Sequence, residues 1–157
     1  MPASLSEQGT QTLEVTRDEV IAAPLEIVFE SILEQMGPYN ETGDGKPMPM
    51  KLEAWPGGRW FRDLGNNSGH LWGHVQSIKS PTLLEIQGPL FMSAPAISHV
   101  LYRLTPEGDK TRISFSHRAI GQIPPEIRDG VNVNRGWSSI IARIRKVAEA
   151  KAGEGKK

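Results

Sequence analysis

Residues 131–150 read VNVNRGWSSIIARIRKVAEA. Val133, Trp137, Ile140, Ile141, Ile144 and Ala148 recur at helical spacing, while Arg143, Arg145, Lys146 and Glu149 fall elsewhere on the wheel. The spacing predicts a long amphipathic helix near the C-terminus. Its start is not fixed by the sequence, because Gly130, Asn132 and Asn134 are poor helix formers. Gly136, beside Trp137, removes a side chain from the helix at mid-length.

The residues before it change period. Ser98–Thr105 and Lys110–Arg118 alternate, joined by Pro106-Glu107-Gly108-Asp109, a strong hairpin signal. Further upstream, Met50, Leu52 and Ala54 alternate with Lys51, Glu53 and Trp55, Pro56-Gly57-Gly58 turns the chain, and Arg59–Asp63 forms a short strand. After the Asn66–Gly69 turn, His70–Ser80 and Thr82–Gly88 make two more. Near the start, Thr12–Ala23 is a strand candidate. Pro24 then opens a helix whose Leu25, Val28, Phe29, Ile32, Leu33 and Met36 form one stripe, stopped by Gly37-Pro38.

One strand, a helix, about six antiparallel strands and a long terminal helix make an α+β domain over residues 12–150. Polar tails are expected at 1–11 and 151–157. The terminal helix is the longest amphipathic element available to cover the sheet. Gly73 and Gly88, inside strand-like runs, mark either bends that curve the sheet or places of close packing. With Gly136, the bent reading implies an enclosed space behind Trp137.

The 157 residues fit one domain and bury enough surface for a core without staples. Eighteen basic and eighteen acidic residues cancel, which disfavours general nucleic-acid binding. With no cysteine there is no disulfide framework, thiol nucleophile or zinc-thiolate site. No stretch approaches the ~18 apolar residues of a membrane span, and residues 1–11 lack the features of a signal peptide. Cytoplasmic location is the default expectation.

Several motifs then occur in order: Ala23-Pro24 leading into Val28-Phe29, Pro56-Gly57-Gly58-Arg59, Gly73 with Val75, Thr111–His117 (TRISFSH), and Gly136-Trp137 with Ile140, Ile141 and Ile144. Over residues 12–150 this succession resembles the START-like (Bet v 1-like, SRPBCC) superfamily, in its branch named after the activator of Hsp90 ATPase. The resemblance implies a helix-grip fold, in which a curved antiparallel sheet of about 6–7 strands grips the terminal helix around an internal cavity. It does not fix a function: members bind lipids, hormones or polyketides, and some are cyclases or hydrolases.

On that scaffold the expected cavity wall comprises Trp60, Val75, Ile86, Phe91, Met92, Tyr102, Phe115, His117, Trp137 and Ile141. His117 continues the inward phase of Ile113 and Phe115, and Tyr102 that of Val100 and Leu104. They are the candidate catalytic pair, with His117 as general base and Tyr102 as donor. The competing reading of His117 is a core histidine bonded within the protein. His99 is expected to face outward. His70 and His74, four apart on a strand, stand ~13–14 Å from each other and cannot share a metal. Trp55 is expected in solvent. Trp72 is ambiguous, because Leu71, Gly73 and Val75 compete for the inner face. Phe91 and Met92 lie in the Pro89–Pro95 loop, as pocket mouth, interface or tucked-in residues.

Three functions follow. The first is binding of a small apolar, lipid- or polyketide-like molecule in the cavity. The second is a cavity enzyme of cyclase, hydrolase or dehydratase type. The third is a protein-interaction or chaperone-associated module working through the Pro89–Pro95 loop. No metal or other cofactor is expected. The expected partner is a small apolar molecule, with a homodimer left open.

Overall fold

The computed structural model describes residues 9–155. Strand β1 (Gln11–Ile21) leads into helix α1 (Leu25–Met36), followed by β2 (Lys51–Leu52), β3 (Arg59–Gly65), β4 (Ser68–Lys79) and β5 (Leu83–Gly88). The chain continues through β6 (Ala96–Glu107), β7 (Lys110–Gly121), the single-turn α2 (Pro125–Arg128) and α3 (Val131–Glu154). The seven strands form one antiparallel sheet in the order β1-β7-β6-β5-β4-β3-β2. Thus β2 to β7 are a meander, and β1 closes back beside β7.

The alternation seen in the sequence sets the two faces. On β7, Thr111, Ile113, Phe115, His117 and Ala119 are buried, while on β6 Ser98, Val100, Tyr102 and Leu104 are. These line the concave face, and α3 lies against it. Val133, Trp137, Ile140, Ile141, Ile144, Ala148 and Ala152 of α3 enter the core. Full burial of an aliphatic side chain is worth ~1.5–3 kcal/mol, so this stripe rather than helix propensity holds α3 in place.

The sheet bends where its ladder is irregular. Register shifts fall between Trp60 and Phe61, Asp63 and Gly65, and Val75 and Ser77. Gly73 and Gly88 meet across β4 and β5: a Cβ on Gly88 would lie 2.4 Å from the Gly73 Cα, and one on Gly73 2.6 Å from the Gln87 carbonyl oxygen. Here the glycines serve close backbone approach, next to the bulges that supply the curvature.

The structure sets the helix start that the sequence left open, and regular elements reach into both expected tails. The helix begins at Val131, after Gly130 in the left-handed region (φ 73°), and Asn134 is held within it by Arg17 of β1. A tertiary bond thus overrides a poor helix former. The tail expected from residue 151 is helical as far as Glu154, because Ala152 extends the buried stripe and Lys151 Nζ donates to Glu34 (2.6 Å) and Glu30 (3.3 Å) of α1. The tail expected at 1–11 yields to β1 from Gln11, and its first eight residues lie outside the described range. Among the described residues no helix is long and apolar enough to cross a membrane.

Candidate functional site

A cavity of about 390 Å³ opens between the N-terminal half of α3 and the β3–β4 end of the sheet. Trp60 of β3, Trp72 of β4 and Phe91 of the β5–β6 loop form its floor. Val133, Gly136, Trp137 and Ile140 of α3 form one wall, with Ile127 of α2 beside them. The loop between α1 and β2 supplies the remaining side through Asn40, Glu41, Thr42, Gly43 and Met48. Glu126 and Asn132 complete the rim. The size falls within the ~300–1,000 Å³ of small-molecule sites, and the mostly apolar lining, with four aromatic side chains, suits them too.

The loop over the cavity is held by its own bonds. Asn40, 5% exposed, donates from Nδ2 to the Met48 carbonyl (3.0 Å), and the Met48 N–H donates to the Asn40 carbonyl (2.8 Å). The Thr42 N–H donates to Lys46 O (2.8 Å), so residues 40–48 form a small closed hairpin. It is tied to α3 by Asp44–Arg135 (3.6 Å) and by Glu41–Arg143 (4.0 Å). Arg143 also donates to Gln35 Oε1 (3.0 Å) and Ser139 Oγ (2.7 Å), and burial pulls its guanidinium below its ordinary range.

Gly136 is what leaves the space open. A Cβ built there meets no atom within 4 Å. The floor, in contrast, is closely packed, although the buried Trp72 indole N–H has no hydrogen-bond partner among the described residues. The Trp60 indole N–H donates to the Met36 carbonyl at the end of α1 (2.7 Å), and its ring meets Trp72 edge-on at 5.1 Å. Trp72 in turn meets Phe91 edge-on at 5.8 Å.

The space behind Trp137 is filled, so the hollow lies on its other side. Phe115 packs on Trp137 at 4.8 Å between ring centres and on Tyr102 at 4.9 Å; His117 stands edge-on to Trp137 at 5.6 Å. Three large side chains on β6 and β7 occupy the volume expected to be empty. Of the ten wall residues expected, Trp60, Phe91 and Trp137 line the cavity. Val75, Ile86, Met92, Tyr102, Phe115, His117 and Ile141 sit in the core behind it, each at most 2% exposed.

The proposed catalytic pair is separated. The Trp137 indole N–H donates to His117 Nδ1 (2.9 Å), which therefore accepts, and Nε2 carries the proton toward Ser98 Oγ (2.9 Å). Burial lowers the His117 pKa from 6.5 to about 4, so the ring is neutral at pH 7. The Tyr102 hydroxyl donates to Met36 Sδ (3.5 Å), and burial pushes its pKa up. Neither group lines the cavity. The geometry corresponds to the competing reading of His117, a core histidine with both nitrogens engaged.

The Pro89–Pro95 loop also changes character. Leu90 and Met92 are buried in the core, and Phe91 alone turns to the cavity. Of the readings left open for this loop, Met92 is tucked in and Phe91 stands at the pocket. Trp55 is 57% exposed, as expected, and His99 bonds Glu85 (2.6 Å) on the convex face. The sequence left Trp72 ambiguous because Trp72 is itself the extra residue of a β4 bulge, between Leu71 paired with Phe61 and Gly73 paired with Trp60, and this breaks the alternation that assigns strand faces. Sequence reasoning missed the 40–48 wall because a Gly/Pro-rich loop has no period to read; Met48, an apolar residue inside that loop, was the available signal.

The sheet that grips α3 defines the fold, and the sequence assigns the family. The family model described as Activator of Hsp90 ATPase homolog 1-like protein matches residues 22–149. The chain belongs to that family. It is accordingly a START-like, Bet v 1-like SRPBCC protein with a helix-grip fold. No curated protein matches this family member in sequence. Among solved structures it is similar to a protein from Rhizobium leguminosarum (TM-score 0.69, 14% identity, 90% of this chain and 97% of that one). A protein from Chromobacterium violaceum is also similar (TM-score 0.64, 18% identity, 87% and 96%). So is the Aha1 dimer from Colwellia psychrerythraea, solved in solution (TM-score 0.62, 11% identity, 87% and 96%). At these identities the likeness is one of fold, which hosts many functions.

Proposed function

We propose that this family member binds a small, flat, predominantly apolar molecule in the cavity between α3, the 40–48 loop and the Trp60–Trp72–Phe91 floor. The observation that carries the reading is a three-tryptophan cavity of about 390 Å³ kept open by a helical glycine with free space in front of it. Apolar burial at ~25 cal/mol per Å² supplies the affinity, and the flat indole faces favour planar ligands. The polar rim of Asn132, Thr42 and Glu126 leaves a place for a polar end group at the mouth.

Native mass spectrometry of gently purified protein, followed by thermal-shift screening with planar hydrocarbons and their hydroxylated derivatives, tests the reading. Binding is expected as a retained small-molecule adduct or a raised melting temperature. No adduct, together with no shift for any planar probe up to its solubility limit, would remove the proposal.

A further inference from the structure

His117 is a fully buried titratable group of the concave face, yet it touches a residue of the cavity wall. We propose that His117 is a positioning residue: with Ser98 it fixes the Trp137 indole as the wall of the ligand cavity, and so sets which ligands fit. This inference rests on the cavity reading above. It extends that reading to a specificity determinant that does not itself touch the ligand.

The argument starts from valence. An indole nitrogen can only donate, so the 2.9 Å contact from Trp137 Nε1 requires a lone pair on His117 Nδ1. A neutral imidazole has one such lone pair, and the proton must then sit on Nε2. Ser98 Oγ stands 2.9 Å from Nε2 and accepts that proton. Ser98 pairs with Ala119 and His117 with Val100 in the β6–β7 ladder, so Ser98 is the diagonal neighbour of His117 on the same face. Ser98 is 1% exposed and His117 fully buried, so water does not compete for either bond. The donor-only indole of Trp137 therefore selects the tautomer, and the Ser98 hydroxyl, able to accept as well as donate, satisfies the proton left on Nε2.

The consequence falls on the cavity. Trp137 has Phe115 on one side, but Gly136 leaves open space on the other. Packing alone thus blocks rotation of the indole in only one direction. The His117 bond blocks the other, because an indole swung into the cavity would leave its N–H without this acceptor. A bond of this kind in a buried site favours the bonded rotamer by about tenfold or more. Without it, the indole spends part of its time in the volume the ligand would occupy.

Two side chains separate this role from simple core filling. Asparagine at 117 places its amide oxygen where Nδ1 stood; glutamine places its amide near Nε2 instead. Both variants lose similar packing. The readouts are the Trp137 indole N–H resonance in a ¹⁵N–¹H spectrum and the affinity for naphthalene. Expected are a hydrogen-bonded Trp137 resonance and naphthalene affinity within about threefold of the parent in H117N, against a shifted resonance and about tenfold weaker binding in H117Q. Equal losses in the two variants would overturn the proposal. Should neither variant fold, the unsubstituted protein still decides: a long-range ¹H–¹⁵N spectrum is expected to show the Nε2–H tautomer of His117, and an Nδ1–H tautomer would refute the assignment. If the parent binds no planar probe, the cavity reading fails, whereas the indole resonances still report whether His117 holds Trp137.

Discussion

Placing a side chain at Gly136 is the sharpest perturbation the fold offers. Gly136 lies inside α3 without a left-handed φ, and a Cβ there meets nothing within 4 Å. Gly136→Ala should therefore collect the helix-propensity difference of ~0.8–1 kcal/mol with no steric cost. For a domain of this size that is a rise in Tm of about 2–4 °C. Gly136→Leu has a similar propensity gain and adds apolar burial, so it should be at least as stable as the alanine variant. Its isobutyl group, however, enters the cavity. Displacing about four ligand carbons at ~0.8 kcal/mol each removes about 3 kcal/mol of binding, or more than 100-fold in Kd. The assay is a thermal melt of parent, alanine and leucine forms, followed by calorimetric titration of each with naphthalene. A glycine that costs stability and permits binding gives opposite signs in the two experiments. A leucine variant that is destabilised while still binding like the parent would refute the reasoning, since the free space would then lie elsewhere.

Other outcomes follow from the same contacts. Because the folded His117 has its pKa lowered to about 4, the unfolded chain takes up that proton first as the pH falls. Stability should be unaffected by this group above pH ~6.5 and decline between ~6.5 and 4 by up to about 3 kcal/mol. It should level off below, and urea titrations at pH 7, 5 and 4 would reveal a flat profile if the account is wrong. Gly73→Ala, which forces a Cβ to within 2.6 Å of the Gln87 carbonyl, should destabilise by ~2 kcal/mol or more; a neutral result by chemical denaturation would contradict the close approach of β4 and β5. Thr111→Val removes the 2.7 Å bond from Thr111 Oγ1 to the Ala23 carbonyl and should cost ~1–3 kcal/mol in the same assay, with no effect on probe affinity.

The parts of the fold that were legible in the sequence are those where a period survives undisturbed. The α3 stripe from Val133 to Ala148 and the β6–β7 hairpin around Gly108 are each fixed by local pattern, and both occur in the structure at nearly the expected limits. The site was less legible because it is built where the pattern breaks. Trp72 is the extra residue of a β4 bulge, and the 40–48 wall is an aperiodic loop held by backbone bonds. Inward phase correctly put Tyr102, Phe115 and His117 on the concave face, but phase carries no depth. Whether an inward residue lines a hollow or fills it depends on the summed volume of its neighbours. Here Phe115, His117 and Tyr102 fill the space behind Trp137, and the hollow moves to the side where Gly136 has nothing to offer.

The four tryptophans make the decisive measurement internal to the molecule. Trp60, Trp72 and Trp137 line the cavity, while Trp55 is 57% exposed and outside it. A ¹⁵N–¹H titration with naphthalene should move the three cavity indole signals together and leave the Trp55 signal in place. Shifts confined to Trp55, or no shift at saturating naphthalene, would contradict the account.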